Sequence, residues 1–201
     1  MHPGIGEGIA GAENVDVPLP GPVLPVHEYL PSAGEAQKAV STMDYDEATG
    51  LVAHYEEVLT AHIDDLDVVL AHHGNLVALA ARSVCARAGK PFVLFLHGTG
   101  VEPRHFGGYD DRLWADIVNA IQDADGLLVT TEYVRDSLVR PLVDVGKERF
   151  LVLPCGIDLD EFHPGRGNGV AARYDVPVPY VICPGALTHS KGPQNVVAAS
   201  R

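Results

Sequence analysis

The polar residues equipped for chemistry gather in short clusters. These are His72-His73-Gly74, His97-Gly98-Thr99-Gly100, Thr130-Thr131-Glu132, Pro154-Cys155-Gly156 and the run from Gly185 through Lys191 to Gly192. Imidazoles donate or accept hydrogen bonds near neutral pH, and glycines beside them let backbone approach a ligand. His97-Gly-Thr-Gly also has the composition of a hydrolase oxyanion loop. That chemistry needs a Gly-x-Ser-x-Gly elbow, which the chain lacks. The ten histidines invite a metal site, yet there is no His-Glu-x-x-His and no paired Cys-His spacing. His72 and His73 are adjacent, so in an extended chain they point opposite ways. No metal is therefore expected; one ring of the pair should face a ligand, the other the core or solvent.

The run from Gly185 to Gly192 leads into an apolar helix pattern. Backbone N–H groups there, the positive end of the helix and Lys191 would suit a diphosphate. The Gly-Lys-Ser/Thr order of a Walker A loop is absent. Gly4-Ile-Gly6-Glu-Gly8 is no dinucleotide fingerprint either, because position 9 is Ile and no strand precedes it.

The elements that must hold these clusters follow from hydrophobic period. Apolar residues recurring at three and four predict a helix over 46–63. Asp67-Val-Val-Leu-Ala71 reads as a buried strand. Asn75 can cap a helix running to about Ala88, which Gly89 ends. Residues 91–96 form the clearest strand, 101–110 a loop, and 111–122 a helix with Leu113, Trp114, Ile117, Val118 and Ile121 on one face. A strand follows over 126–130, then a helix capped by Thr131 that runs to about 143, then a strand over 149–153. Further on, 170–175 reads as a short helix, 179–183 as a strand and 192–201 as a helix. At the start, 15–19 reads as a short strand, and the Pro-rich stretch after it as extended or turning. Short apolar strands alternating with amphipathic helices imply an α/β fold, a Rossmann-like parallel sheet covered on both faces. In such sheets ligands bind beyond the carboxyl ends of the strands, where the clusters before residue 160 fall.

Composition narrows the function. A 201-residue chain that is 46% hydrophobic and 20% charged is globular. No apolar run reaches the roughly 18 residues of a membrane span, and the start lacks the features of a signal peptide, so cytoplasmic residence is expected. The net charge is −13, with ten acids and one base, Lys38, in residues 1–60. Such a field repels nucleic acid and anionic lipid. Neither nucleic-acid partners nor a membrane-binding stretch is expected, and oligomeric state is left open. Cys85, Cys155 and Cys183 lack CxxC spacing and read as small buried hydrophobes.

The ordered set of motifs resembles family 4 glycosyltransferases of the two-lobed GT-B fold. The set comprises Asp-Val-Val-Leu-Ala-His-His, the strand ending in His97-Gly98, Asp-Ala-Asp-Gly-Leu-Leu-Val-Thr-Thr, the junction Pro154-Cys-Gly-Ile-Asp158…Phe162-x-Pro164, and Lys191-Gly192. The resemblance implies a sugar transferred with retention from a nucleoside-diphosphate sugar to an acceptor, without metal or other cofactor. It implies His97 as the catalytic residue. His73, Gly98, Thr131, Gly156 and Asp158 would be substrate-binding, and Gly185, Lys191 and Gly192 donor-diphosphate-binding. It implies an acceptor-side lobe over 1–164, lacking its first strand, and the start of a donor-side lobe over 165–201. The family usually has Arg directly after the Gly that opens the diphosphate loop; here Ala186 follows Gly185. The expectation is a fragment, inactive alone. The alternatives are a non-catalytic sugar- or partner-binding remnant of the fold, or an epimerase or phosphorylase relative.

Overall fold

A helix begins at Asp44 because its carboxylate accepts the Glu47 backbone N–H at 2.8 Å, satisfying a donor that the first turn leaves unpaired. This is α1, Tyr45–His62, whose inner residues Ala48, Val52, Tyr55 and Leu59 are buried. The computed structural model describes residues 11–27, 36–163, 169–177, 179–185, 187 and 191–200. The glycines at 4, 6 and 8, and Ala186 in the Lys191 loop, lie outside the described residues. The chain divides into two units, Met1–Cys155 and Gly156–Arg201.

In the first unit a four-stranded parallel sheet has the order β3 (Val69–His72), β4 (Phe92–Leu96), β5 (Gly126–Val129) and β6 (Phe150–Val152). Its crossovers include α2 (Leu76–Ala88) and α3 (Asp111–Asp123). Asn75 caps α2, Gly89 closes it with φ 65°, and Asp110 caps α3 through the Arg112 and Leu113 N–H groups, as the capping residues predict. Phe92, Leu94, Leu96, Leu127 and Val129 point from one face of the sheet into the core, where they join Leu113, Ile117 and Ile121 of α3 and Leu76, Ala80 and Val84 of α2.

The expected Rossmann-like α/β sheet is thus present, and its order explains how it is covered. Strands added sequentially in one direction, each by a right-handed crossover, carry their connections to the same face. The register sets Leu70 beside Val93, and His72 beside Phe95, Leu128 and Leu151 on the other face. There Leu70 is 49% and Leu151 60% exposed, and Val93, Phe95 and Leu128 are half-buried. Among the described residues, the helical covering of that second face is incomplete.

Other details depart from the sequence reading. Leu24–Val26 is a strand, β1, paired in parallel with β2, Gln37–Ala39; Pro25 is tolerated because a two-stranded ribbon has only edges. Residues 15–19 form no regular strand beyond an isolated bridge at Asp16, although Val17 is buried. Residues Glu102–Phe106 form a 3₁₀ turn inside the expected loop. After β5 the helix starts at Glu132 and continues as a π-helical turn, Val134–Val139, ending just before Pro141, whose missing N–H cannot continue it.

In the second unit, Val170–Arg173 (α4) and Pro193–Ala199 (α5) are helical as predicted. The strand expected over 179–183 does not form. Val181 is 84% and Ile182 67% exposed, and an extended segment becomes a strand only when a neighbour takes its backbone groups. Cys85 is buried, but Cys155 and Cys183 are exposed, which corrects the reading of all three as core residues. Among the described residues no helix is long and apolar enough to cross a membrane.

Candidate functional site

The carboxyl end of β3 does not stay extended. His73 adopts φ 69°, a left-handed conformation that non-glycine residues seldom take. The reversal overturns the expectation that the two adjacent rings diverge. His72 and His73 both reach His97 at the end of β4, with ring centroids 5.1 Å and 4.8 Å from it. His72 Nδ1 and His97 Nε2 are 2.9 Å apart, so one donates and the other accepts. This leaves His97 Nδ1 and His72 Nε2 for other partners. Phe95 stacks on His97 at 4.3 Å, and Thr99 Oγ1 lies 3.4 Å from His73 Nδ1.

A fourth ring completes the cluster. His27, directly after β1, stacks on His73 with centroids 3.7 Å apart and planes inclined by 26°. Asn75 Nδ2 donates to His27 Nδ1 over 2.9 Å, while Asn75 Oδ1 caps α2 through the Val77 N–H. Nothing in the sequence pointed to His27; it lies 45 residues before His72, in a Pro-rich stretch with no periodicity. A cavity of about 600 Å³ opens beside β3 and reaches His27, His72, His73 and Asn75.

Two glycines make the close approach possible. A Cβ on Gly100 would lie 2.9 Å from the Gly74 nitrogen and 3.3 Å from His73 Cβ. Gly98 has φ 105°, and its Cβ would meet Leu138 Cδ1 at 3.2 Å. The Tyr109 hydroxyl, buried, donates to the Gly100 carbonyl at 2.7 Å, and the Tyr109 N–H donates to the Ser41 carbonyl. Tyr109 thereby anchors the loop after β4 to its own later part and to Ser41.

Three of the rings, His27, His73 and His97, are placed so as to favour the uncharged form. Burial, then His27, His97 and His72, push His73 down to about 3. Burial and then His72 lower His97, and burial and then His97 lower His27. Imidazoles so disposed exchange hydrogen bonds with hydroxyl groups as uncharged partners. Among the described residues no group of three or more His, Cys, Asp or Glu is placed to hold a metal ion.

Of the other candidates, Thr131 serves the fold of the first unit and the rest belong to the second unit. Thr131 Oγ1 accepts the Val134 N–H at 3.2 Å and so caps the turn after β5. Beside it the buried Arg135 is paired with Asp136 at 2.7 Å and Glu132 at 3.4 Å. In the second unit Asp158 Oδ1 accepts the Asp160 and Glu161 N–H groups, which organises its own turn. Among the described residues nothing lies within 4 Å of where a Gly156 Cβ would stand. Gly185 and Gly192 have φ 154° and 72°, Gly192 caps α5, and Lys191 just before it is exposed.

No curated protein matches the chain. A family model described as Glycosyltransferase Family 4 matches residues 32–161. That span is well over half the chain and contains β3 to β6 and the meeting of His72, His73 and His97, so the chain belongs to glycosyltransferase family 4.

Proposed function

We propose that residues 1–164 are the acceptor-side lobe of a retaining, metal-independent glycosyltransferase of the cytoplasm, and that residues 165–201 begin its donor-side lobe. The donor is a nucleoside-diphosphate sugar and the acceptor a hydroxyl compound. The observation that carries this reading is the convergence of His72, His73 and His97 at the carboxyl ends of adjacent parallel strands inside the matched region. Ligands of open parallel sheets bind at that end. His97, uncharged and with Nδ1 to spare, accepts a hydrogen bond from a sugar or acceptor hydroxyl, and His73 and the Gly98 backbone orient the same molecule. Thr131, Gly156 and Asp158 contribute to substrate binding through their loops. Gly185, Lys191 and Gly192 serve the donor diphosphate, where an ammonium stabilises charge developing on the leaving group.

A second reading, a sugar-binding domain without transfer, is favoured by one observation. No described side chain of residues 156–201 is buried, so among the described residues no core backs Lys191 for diphosphate binding. The test is an NMR titration of the histidine-labelled chain against panels of nucleoside-diphosphate sugars and acceptor sugars, with release of nucleoside diphosphate measured in parallel. Acceptor-dependent shifts at His97 and His73 are expected, and their disappearance in His97→Ala. A panel that moves neither ring overturns the site. Acceptor binding with no diphosphate release under any donor favours the second reading over the first.

A further inference from the structure

Asn75 is buried, with 3% of its surface exposed, and its amide is committed at both ends. Oδ1 accepts the Val77 N–H that opens α2, so Nδ2 is the group turned to His27 Nδ1 at 2.9 Å. A donor there requires Nδ1 of His27 to be the acceptor. The His27 proton then sits on Nε2, and a second proton would set N–H against N–H. His27 is therefore an uncharged ring, and an uncharged ring can lie 3.7 Å from another imidazole, as it does on His73. Two imidazolium rings at that distance would repel.

We propose that Asn75 and His27 form a positioning pair for the candidate site, holding His73 uncharged in its left-handed conformation with its ring turned toward Thr99 and His97. The pair rests on reading the sheet end as the ligand site, and it brings to that site a residue directly after β1. His73 carries a backbone conformation that a β-carbon disfavours, so something must hold it. Its backbone N–H donates to the Phe95 carbonyl at 2.9 Å, which fixes one side of the residue. The stacked ring of His27 fixes the other. The titratable groups acting on His73 are His27 next to β1, His72 on its own strand and His97 after β4; Glu13 lines the adjoining cavity.

The experiment replaces the donor by an acceptor while keeping the helix cap. Asn75→Asp retains an oxygen for the Val77 N–H, since Asp caps helices as well as Asn. The introduced carboxylate should draw a proton onto His27 Nδ1 and raise its titration by roughly one to three pH units. The His73 ring should then leave the stack and lose its ring-current shift. Both are read by ¹⁵N and ¹H NMR of labelled histidines between pH 8 and 5. His27→Phe, which keeps a stacked ring, should leave His73 uncharged over that range, whereas His27→Ala should let it titrate. Unchanged His27 tautomer and titration in Asn75→Asp would overturn the pair. So would a His73 resonance indifferent to His27→Ala, a comparison that stands even where Asn75→Asp fails to fold. No ligand enters these measurements. A chain that shows the shifts and binds no sugar sinks the site reading and leaves the pair intact.

Discussion

Replacing Gly100 by Ala tests whether the two histidine-bearing loops are held in contact by the lack of a side chain. Gly100 does not have a positive φ, so alanine meets no backbone strain there and the effect is steric. The new methyl would lie 2.9 Å from the Gly74 nitrogen, 3.3 Å from His73 Cβ and 3.5 Å from the Gly74 carbonyl oxygen. Two of these are backbone atoms that cannot rotate away, and Gly74 is itself confined by Leu96, Val101 and Ile121. Overpacking of this kind costs about 1–3 kcal/mol. Moving the loop also strains the buried Tyr109–Gly100 hydrogen bond, whose loss adds about 1 kcal/mol. A total of about 2–4 kcal/mol lowers the melting temperature of a domain this size by roughly 4–16 °C. The assay is urea and thermal unfolding followed by circular dichroism, with Gly50→Ala as the control. Gly50 is exposed on α1 with nothing among the described residues within 4 Å of a Cβ, so alanine there should stabilise by about 0.5–1 kcal/mol. Opposite signs for the two substitutions are expected. A Gly100→Ala protein as stable as the parent, with unaltered His73 and His97 resonances, would refute the account of the loop contact.

Three further outcomes follow from the same geometry. Gly98→Ala combines a positive φ with a 3.2 Å approach to Leu138 and should cost about 1–3 kcal/mol, measured by the same denaturation. His73 has a folded-state value pushed below its ordinary one, to about 3. The unfolded chain therefore binds the proton first, and stability falls as pH drops from about 6.5 toward 3; a urea midpoint series at pH 7.5 to 4.5 should fall less steeply in His73→Gln, and equal slopes would contradict the assignment. Asp110→Ala removes the carboxylate that accepts the Arg112 and Leu113 N–H groups and should destabilise α3 by about 1 kcal/mol, whereas Asp110→Ser should recover most of that loss.

Elements whose signals are local were readable from the chain. α2 was bounded by Asn75 and Gly89 because capping needs only the residues at the helix ends. β4 was readable from a run of five apolar residues between Pro91 and His97. The segment over 179–183 has the same kind of run but, among the described residues, no pairing neighbour, and it remains irregular with Val181 and Ile182 exposed. β1 was missed for the converse reason: Pro25 argues against a strand until Gln37–Ala39 is seen beside it. His73, His97 and Gly98 were singled out from type and placement at strand ends, and the structure brings the rings of His73 and His97 to 4.8 Å. Thr131 was anticipated as a cap, and it does cap, through the Val134 N–H.

Residue type and short-range period, then, determined an α/β chain with parallel strands and polar clusters at their carboxyl ends, because helix period, strand runs and caps are properties of a few neighbouring residues. Tertiary structure alone decided that four imidazoles meet. It placed His73 in a left-handed turn that swings its ring beside His97, brought His27 across from a separate ribbon, and let Gly74 and Gly100 touch. Those contacts join residues 24 to 46 positions apart, and the distances between such residues are set by strand order and crossover packing rather than by any pattern within one segment.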